Sequence, residues 1–225
     1  KELNGAFFIA IYDRTQNRLL LTNDRFGLYP HYYYLQGDKL VFAPEVKGVL
    51  GAPFVPRKLN NVSVAEYMRF QQLFGEKTFH QDISLFPYGS FARFDLGQNR
   101  WTTERYWDWN QVPDNTKMSF DEALEEGAKV LRRAVERLST DQYRPGAFLT
   151  GGLDSRTIVG LIPPRTPPPV TATFGVHNAR DVYYAERIAR AVGSDHHWFD
   201  FPNGNWVLEN LDLHLKLTEG FHSWM

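Results

Sequence analysis

Apolar positions recur at two different periods along this chain, and the change of period divides it. In the first hundred residues they fall in short runs, 6–12, 18–22, 31–35 and 40–42, each the length of one strand. The segments between them, 13–17, 23–29 and 36–39, carry the Asn, Asp and Gly of turns, and Gln36-Gly37-Asp38 predicts a hairpin. Runs so spaced predict an antiparallel meander. Residues 61–74 switch to helical spacing through Val64, Tyr67, Met68 and Gln71, with Ser63 as N-cap and Glu66 three positions on. Strand character returns over 83–109, where Phe86-Pro87-Tyr88-Gly89 predicts a turn and 90–94 a strand. The aromatic cluster Trp101, Tyr106, Trp107 and Trp109 closes that segment and reads as packing between domains.

Residues 111–119, with Pro113, Asp114, Asn115 and Thr116, predict a linker. Past it, Ser119-Phe120-Asp121-Glu122 is a capping box, and Leu124, Ala128, Leu131, Ala134, Val135 and Leu138 form one stripe along a helix of about five turns. Residues 163–169, rich in Pro, are a stiff connection. Residues 170–174 then read as a β-branched strand. Asp181 is the expected cap of a helix faced by Val182, Ala185, Ile188, Ala189 and Val192, and Gly193 closes it. His196-His197-Trp198-Phe199 is the next strand. Strand, helix, strand, helix, strand in this order predicts a parallel βαβ arrangement. The chain is therefore read as α/β, in two domains over 1–110 and 120–225 with a linker at 111–119.

Composition narrows the function classes. With 43% hydrophobic and 23% charged residues in 225, the chain is globular and not disordered. Twenty-five Lys and Arg against 26 Asp and Glu leave a net charge of −1, which supplies no field for nucleic acid. No apolar run approaches the roughly 18 residues of a membrane span, and no leader pattern is visible, so the expected location is cytoplasmic. Zero cysteines exclude disulfides, zinc-thiolate sites and a thiol nucleophile among these residues. The first strand run begins almost at Lys1, which reads as entry partway through a larger domain.

Chemistry concentrates at one turn. Ala147-Phe148-Leu149 runs as a strand into Thr150-Gly151-Gly152-Leu153-Asp154-Ser155, and 156–162 reads as a helix. Two glycines remove the Cβ atoms that would hold backbone N–H groups away from a phosphate, and a helix N-terminus adds its unpaired donors. Thr150 and Ser155 add hydroxyls; Asp154 suits a magnesium ion bridging it to phosphate oxygens. The bland alternative is a Gly-Gly turn in which Asp154 or Ser155 only caps the helix. No Gly-Lys-Ser/Thr follows, so this is not a Walker loop. Strand ends carry ligands in open parallel sheets, which makes the backbone of Thr173, Phe174 and Gly175 a candidate adenine contact. Arg156 is a weaker candidate for a phosphate or substrate. Asp24 with Arg25 reads as a structural turn salt bridge, and Glu45 with Lys47 as structural residues on a strand-like run. Adjacent His196 and His197 point to opposite faces of a strand and do not chelate one ion together.

The Thr150–Ser155 turn resembles the pyrophosphate loop, Ser-Gly-Gly-x-Asp-Ser, of ATP pyrophosphatases, with Thr150 in place of the first Ser. Together with Leu3-Asn4-Gly5-Ala6-Phe7 through Asp13, Asn23-Asp24-Arg25-Phe26-Gly27-Leu28-Tyr29-Pro30, Phe42-Ala43-Pro44-Glu45-Val46-Lys47, Leu85 through Gly89 and Arg105-Tyr106-Trp107, it makes nearly the whole chain resemble the glutamine-dependent asparagine synthetase family, which includes β-lactam synthetase-like enzymes. The resemblance implies the distal part of an N-terminal-nucleophile αββα glutaminase-like sandwich, followed by a parallel α/β synthetase domain. It implies adenylation of an aspartate-like carboxylate by ATP with Mg2+, and attack by ammonia released from glutamine, with a homodimer as the candidate assembly. Leu149, Thr150, Gly151, Gly152, Leu153, Asp154, Ser155, Phe174 and Gly175 become the expected ATP-binding set, with Asp154 as metal ligand. By the same resemblance the glutaminase nucleophile belongs upstream of Lys1 and a second acid-rich loop downstream of Met225. An intramolecular amide-forming relative and a nucleotide-binding relative without turnover are the alternatives.

Overall fold

Strand β1 (Phe8–Asp13) reverses into β2 (Arg18–Asn23) through a turn in which the Asp13 carboxylate accepts the N–H groups of Thr15 and Gln16, at 2.9 and 3.1 Å. A second hairpin joins β3 (Tyr32–Gln36) to β4 (Lys39–Ala43) at the expected Gly37-Asp38. These four strands do not form one meander. In this computed structural model, which describes residues 3–114, 117–201 and 206–219, β2 pairs with β6, not with β3. Helices α1 (Val46–Leu50) and α2 (Asn61–Phe70) follow, then β5 (Ser84–Leu85), β6 (Ser90–Asp95) and β7 (Arg100–Arg105). One antiparallel sheet has the order β1-β2-β6-β7 and the other β4-β3-β5.

The division into two sheets originates at Asp24. Its side chain is buried, and its carboxylate accepts N–H groups from Phe7 (3.2 Å), Phe26 (3.0 Å) and Leu28 (3.1 Å). Its own carbonyl accepts from Gly27 and Gly89. Next to it, Asn23 bridges to the Pro87 carbonyl and the Ser90 N–H. The chain is thus held in a tight corner that carries it out of the first sheet. The expected Asp24–Arg25 salt bridge is not among those of the described residues; the Asp24 carboxylate serves backbone donors instead.

Alternation along the strands then sets the layers. Leu19, Leu21, Ala92 and Trp101 from the first sheet meet Tyr33 and Phe42 from the second around Phe86. The opposite face of the second sheet buries Tyr34 and Ile83 against Val46 and Val49 of α1. Trp101 stacks on Tyr33, Trp107 and Trp109 pack on Phe26, and the Tyr106 hydroxyl donates to the Asn23 carbonyl. The aromatic cluster therefore packs within this unit, correcting the interdomain reading. Glu45 and Lys47, placed on a strand-like run by the sequence, stand at the start of α1, where they pair at 2.8 Å. Helix α2 is capped by Asn60, whose side chain accepts from Val62 and Ser63; Ser63 itself is buried, and Glu66 pairs with Lys77.

Helix α3 (Phe120–Ser139) opens with the predicted capping box, both halves formed. Of its apolar stripe, Val135 is buried while Leu124 and Leu138 are exposed. Strands β8 (Gly146–Phe148), β9 (Val170–Phe174) and β10 (Asp195–Phe199) form a parallel sheet of order β10-β9-β8, crossed by α4 (Leu153–Leu161) and α5 (Arg180–Val192). Both helices lie on one face, because each crossover moves one strand in the same direction and right-handed connections then share a side. Leu149, Val159, Ala185 and Ala189 form the core there. Gly193 ends α5 in the left-handed region at φ 67°, as its position predicts. The short α6 (Trp206–Glu209) and α7 (Leu211–Thr218) complete the elements. Residues up to Asp114 and from Leu213 onward group as one unit, and those between as a second; Asn115 and Thr116 of the predicted linker lie outside the described residues.

Replacing Asp24 with Ala removes the acceptor of three backbone donors in a buried turn, and should cost about 2–3 kcal/mol of stability. Denaturant unfolding monitored by Trp fluorescence checks this; an unchanged midpoint would contradict the role assigned to the carboxylate.

Candidate nucleotide site

Leu149 is buried, its N–H on the Ala172 carbonyl and its own carbonyl accepting the Thr173 hydroxyl. It anchors the loop from within the core. The chain then turns at Thr150 and enters α4 at Leu153, three residues earlier than the sequence suggested. Leu153, Asp154 and Ser155 are therefore the first helical turn, with Gly152 as the N-cap residue.

This shift changes which donors face outward. The Thr150 N–H donates to the Ser155 hydroxyl at 3.1 Å, the Gly151 N–H to the Asp181 carboxylate at 3.0 Å, and the Gly152 N–H to the Thr150 hydroxyl at 3.1 Å. The loop has thus used its own amides. Among the described residues no side chain caps α4, and the first-turn N–H groups of Leu153, Asp154 and Ser155 have no intrahelical partner by position. These are the donors that, with the positive end of the helix, suit an anion.

The glycines have a different reason from the expected one. A Cβ on Gly151 would lie 2.7 Å from Asp181 Oδ1 and 3.4 Å from Tyr184 Cδ2, so glycine there admits α5 and not a ligand. A Cβ on Gly152 would stand 3.1 Å from the Thr150 hydroxyl. Asp154 is exposed at the helix end. Arg156 turns its Nε back onto the Gly152 carbonyl at 3.2 Å, which stitches the loop and does not extend the guanidinium toward a ligand.

At the next strand end, the Gly175 N–H donates to the Phe199 carbonyl and the Gly175 carbonyl accepts the Trp198 indole N–H at 2.9 Å. Gly175's polar backbone is thereby satisfied within the fold. Phe174 instead presents a ring, 5.4 Å from those of Phe148 and Phe199, on the sheet face away from α4 and α5. His196 turns to the helix side, its Nδ1 2.9 Å from the Thr171 hydroxyl, and burial lowers its pKa. His197 lies near Asp195 on the other side. Among the described residues no three His, Cys, Asp or Glu side chains are grouped to hold a metal ion. The sequence reading missed Asp181 as part of this site: Ala179 is the N-cap residue of α5, and Asp181 sits inside its first turn.

The Ser155 hydroxyl is the hinge of the loop's internal bonding. Ser155→Ala should leave the Thr150 N–H without its acceptor, and amide exchange at 150–152 should quicken about fivefold to tenfold, for a bond worth about 1 kcal/mol. Hydrogen exchange with mass or NMR detection reads this directly, and unchanged protection would sink it.

Comparison with known proteins matches the same two segments. Residues 1–107 match a family model described as a glutamine amidotransferase domain, and 126–215 one described as asparagine synthase. A Methanocaldococcus jannaschii protein named "Putative asparagine synthetase (glutamine-hydrolyzing) 2" is 30% identical over 167 residues, 72% of this chain and 32% of its own length. Asparagine synthetase (glutamine-hydrolyzing) 2 of Bacillus subtilis is 28% identical over 70% of this chain and 22% of its length. The amidase chyE of Penicillium rubens is 27% identical over 71% of this chain and 23% of its length. The chain spans about a third or less of these relatives. An amidotransferase match followed in order by an asparagine synthase match, beside relatives named as glutamine-hydrolyzing asparagine synthetases over about 70% of the chain, places this chain in the asparagine synthetase family.

Proposed function

We propose that this chain is part of an ATP-dependent, AMP-forming amide ligase, and that the turn from Leu149 to Ser155 holds the nucleotide's phosphates. The observation that carries the reading is the uncapped first turn of α4 at the carboxyl edge of a parallel sheet, within the residues that resemble a pyrophosphate loop. Leu153, Asp154 and Ser155 offer N–H groups to phosphate oxygens, and the hydroxyls of Thr150 and Ser155 hold the loop in shape. The rings of Phe148, Phe174, Phe199 and Phe201 form an apolar surface at the strand end for the adenine, and Gly175 closes the strand behind it.

Magnesium fits this set as an ion shared with the substrate. A hard cation of that size takes oxygen ligands and is commonly held by one or two carboxylates plus phosphates. Asp154 is an exposed carboxylate of the loop whose oxygens make no described hydrogen bond, and it would hold the ion through them. Bound there, the ion supplies charge neutralisation of the phosphates. In the reaction proposed, a carboxylate oxygen of an aspartate-like substrate bonds to the α-phosphorus as the bond to pyrophosphate breaks. Ammonia then attacks the acyl carbon, AMP leaves, and the nitrogen gives up a proton. Adenylation suits this chemistry because AMP leaves far more readily than oxide.

The first unit we read as the distal part of a glutaminase-like αββα sandwich. Two antiparallel sheets packed face to face, with α1 on the outer side of the second, support that reading. None of the 225 residues is a cysteine, so no thiol of this sequence releases ammonia from glutamine.

In the intact protein, Asp154→Ala should reduce ATP-dependent pyrophosphate release at least a hundredfold, while Asp154→Glu retains part of it. A coupled pyrophosphate assay measures this. Wild-type rates in the Ala variant would refute the reading, and nucleotide binding without any pyrophosphate from the wild-type protein would favour a binding relative over a ligase.

A further inference from the structure

The acceptor that meets Gly151 lies outside the loop motif. Asp181 is 30 residues further on, in the first turn of α5, and its carboxylate takes the Gly151 N–H at 3.0 Å. The approach is close enough that a side chain at 151 would have to displace the Asp181 carboxylate: a Cβ would stand 2.7 Å from Asp181 Oδ1 and 3.3 Å from Asp181 Cα. Two helices of the parallel sheet therefore meet the loop at adjacent residues, α4 continuing from Gly152 and α5 abutting Gly151.

A carboxylate next to an anion site is a cost to phosphate binding, because like charges repel. Its presence there is accounted for by the donor it fixes. Without Asp181 the Gly151 N–H would have to find water or swing toward the ligand, and the turn between β8 and α4 would lose its one tie to α5 among the described hydrogen bonds. With it, all three loop amides are settled before a ligand arrives, and the first-turn donors of α4 keep their direction.

We propose that Asp181 is a positioning residue for the nucleotide loop: it pins Gly151 against α5, so that phosphate meets an ordered α4 terminus. This rests on the nucleotide reading of the loop given above. What the position requires is an acceptor oxygen, and the negative charge is dispensable.

The test measures ATP KM and kcat for pyrophosphate release in the intact protein, with melting temperature alongside. Asp181→Ala should lower kcat/KM for ATP about tenfold, chiefly through KM, in line with loss of a charge-assisted hydrogen bond that orders the binding loop. Asp181→Asn keeps an acceptor oxygen and should restore the wild-type KM or improve on it; a general structural defect would not be rescued this way. Gly151→Ala should be impaired alone, and Gly151→Ala with Asp181→Ala should be less impaired than the two effects added, since the second change removes the colliding oxygen. Should Asp181→Ala fail to fold, Asp181→Ser, which is shorter and cannot reach, takes its place. A wild-type KM in the Ala or Ser variant, or an Asn variant as damaged as Ala, would overturn the inference. If Asp154→Ala abolishes release while Asp181→Ala behaves as wild type, this inference alone fails; if both behave as wild type, the nucleotide reading beneath it fails as well.

Discussion

A backbone N–H taken out of water needs an acceptor, and where this chain turns sharply the acceptor is repeatedly a carboxylate. Asp13 closes the first hairpin, Asp24 gathers donors from both sides of the corner that separates the two antiparallel sheets, and Asp181 takes the Gly151 amide at the mouth of α4. Glu219, far along the sequence, accepts the N–H groups of Val46 and Lys47 at the start of α1. Helices and strands satisfy their own interiors; their ends and corners do not. In this protein the irregular backbone is organised by acids, some within the turn they close and others, Asp181 and Glu219, from far along the chain.

That arrangement bears on the site. A glycine pair before a helix is easily read as a cradle whose every amide awaits a phosphate. Here the amides of Thr150, Gly151 and Gly152 are spent on Ser155, Asp181 and Thr150, and what remains for an anion is the first turn of α4. The loop that leads into that turn is already bonded within the protein. The same economy holds at Gly175, whose backbone bonds to Phe199 and Trp198, leaving the ring of Phe174 as the group offered at that strand end. The row of Phe148, Phe174 and Phe199 lies on the sheet face away from α4 and α5, where Phe201 stacks on Phe174 and no helix packs among the described residues.

Local patterns were legible wherever a few neighbouring residues decide the outcome. The capping box at Ser119 and Glu122, the strand 170–174, the hairpin at Gly37 and the left-handed stop at Gly193 each depend on chemistry within one turn of chain. Helix α1 was not legible, because five residues give no period and its first N–H groups are satisfied by Glu219. The start of α4 was misjudged for a related reason: Gly152 provides no side-chain cap to announce it. Ser63 looked like a cap because Glu66 follows at the right spacing, yet Asn60 is the residue whose oxygen reaches two amides.

By itself the sequence determined the alternation of elements, the parallel character of the second half, the glycine and hydroxyl pattern of the turn at 150–155 and, through its lack of cysteine, the absence of a thiol from this stretch. These are properties of composition and of short-range period. Only the tertiary structure decided that four consecutive strands divide between two sheets, and that Gly151 is small to admit Asp181. It also decided that the loop's amides face protein while those of α4 face outward. The place of Gly151 depends on an acceptor thirty positions away, and no local pattern encodes a distance between residues so far apart.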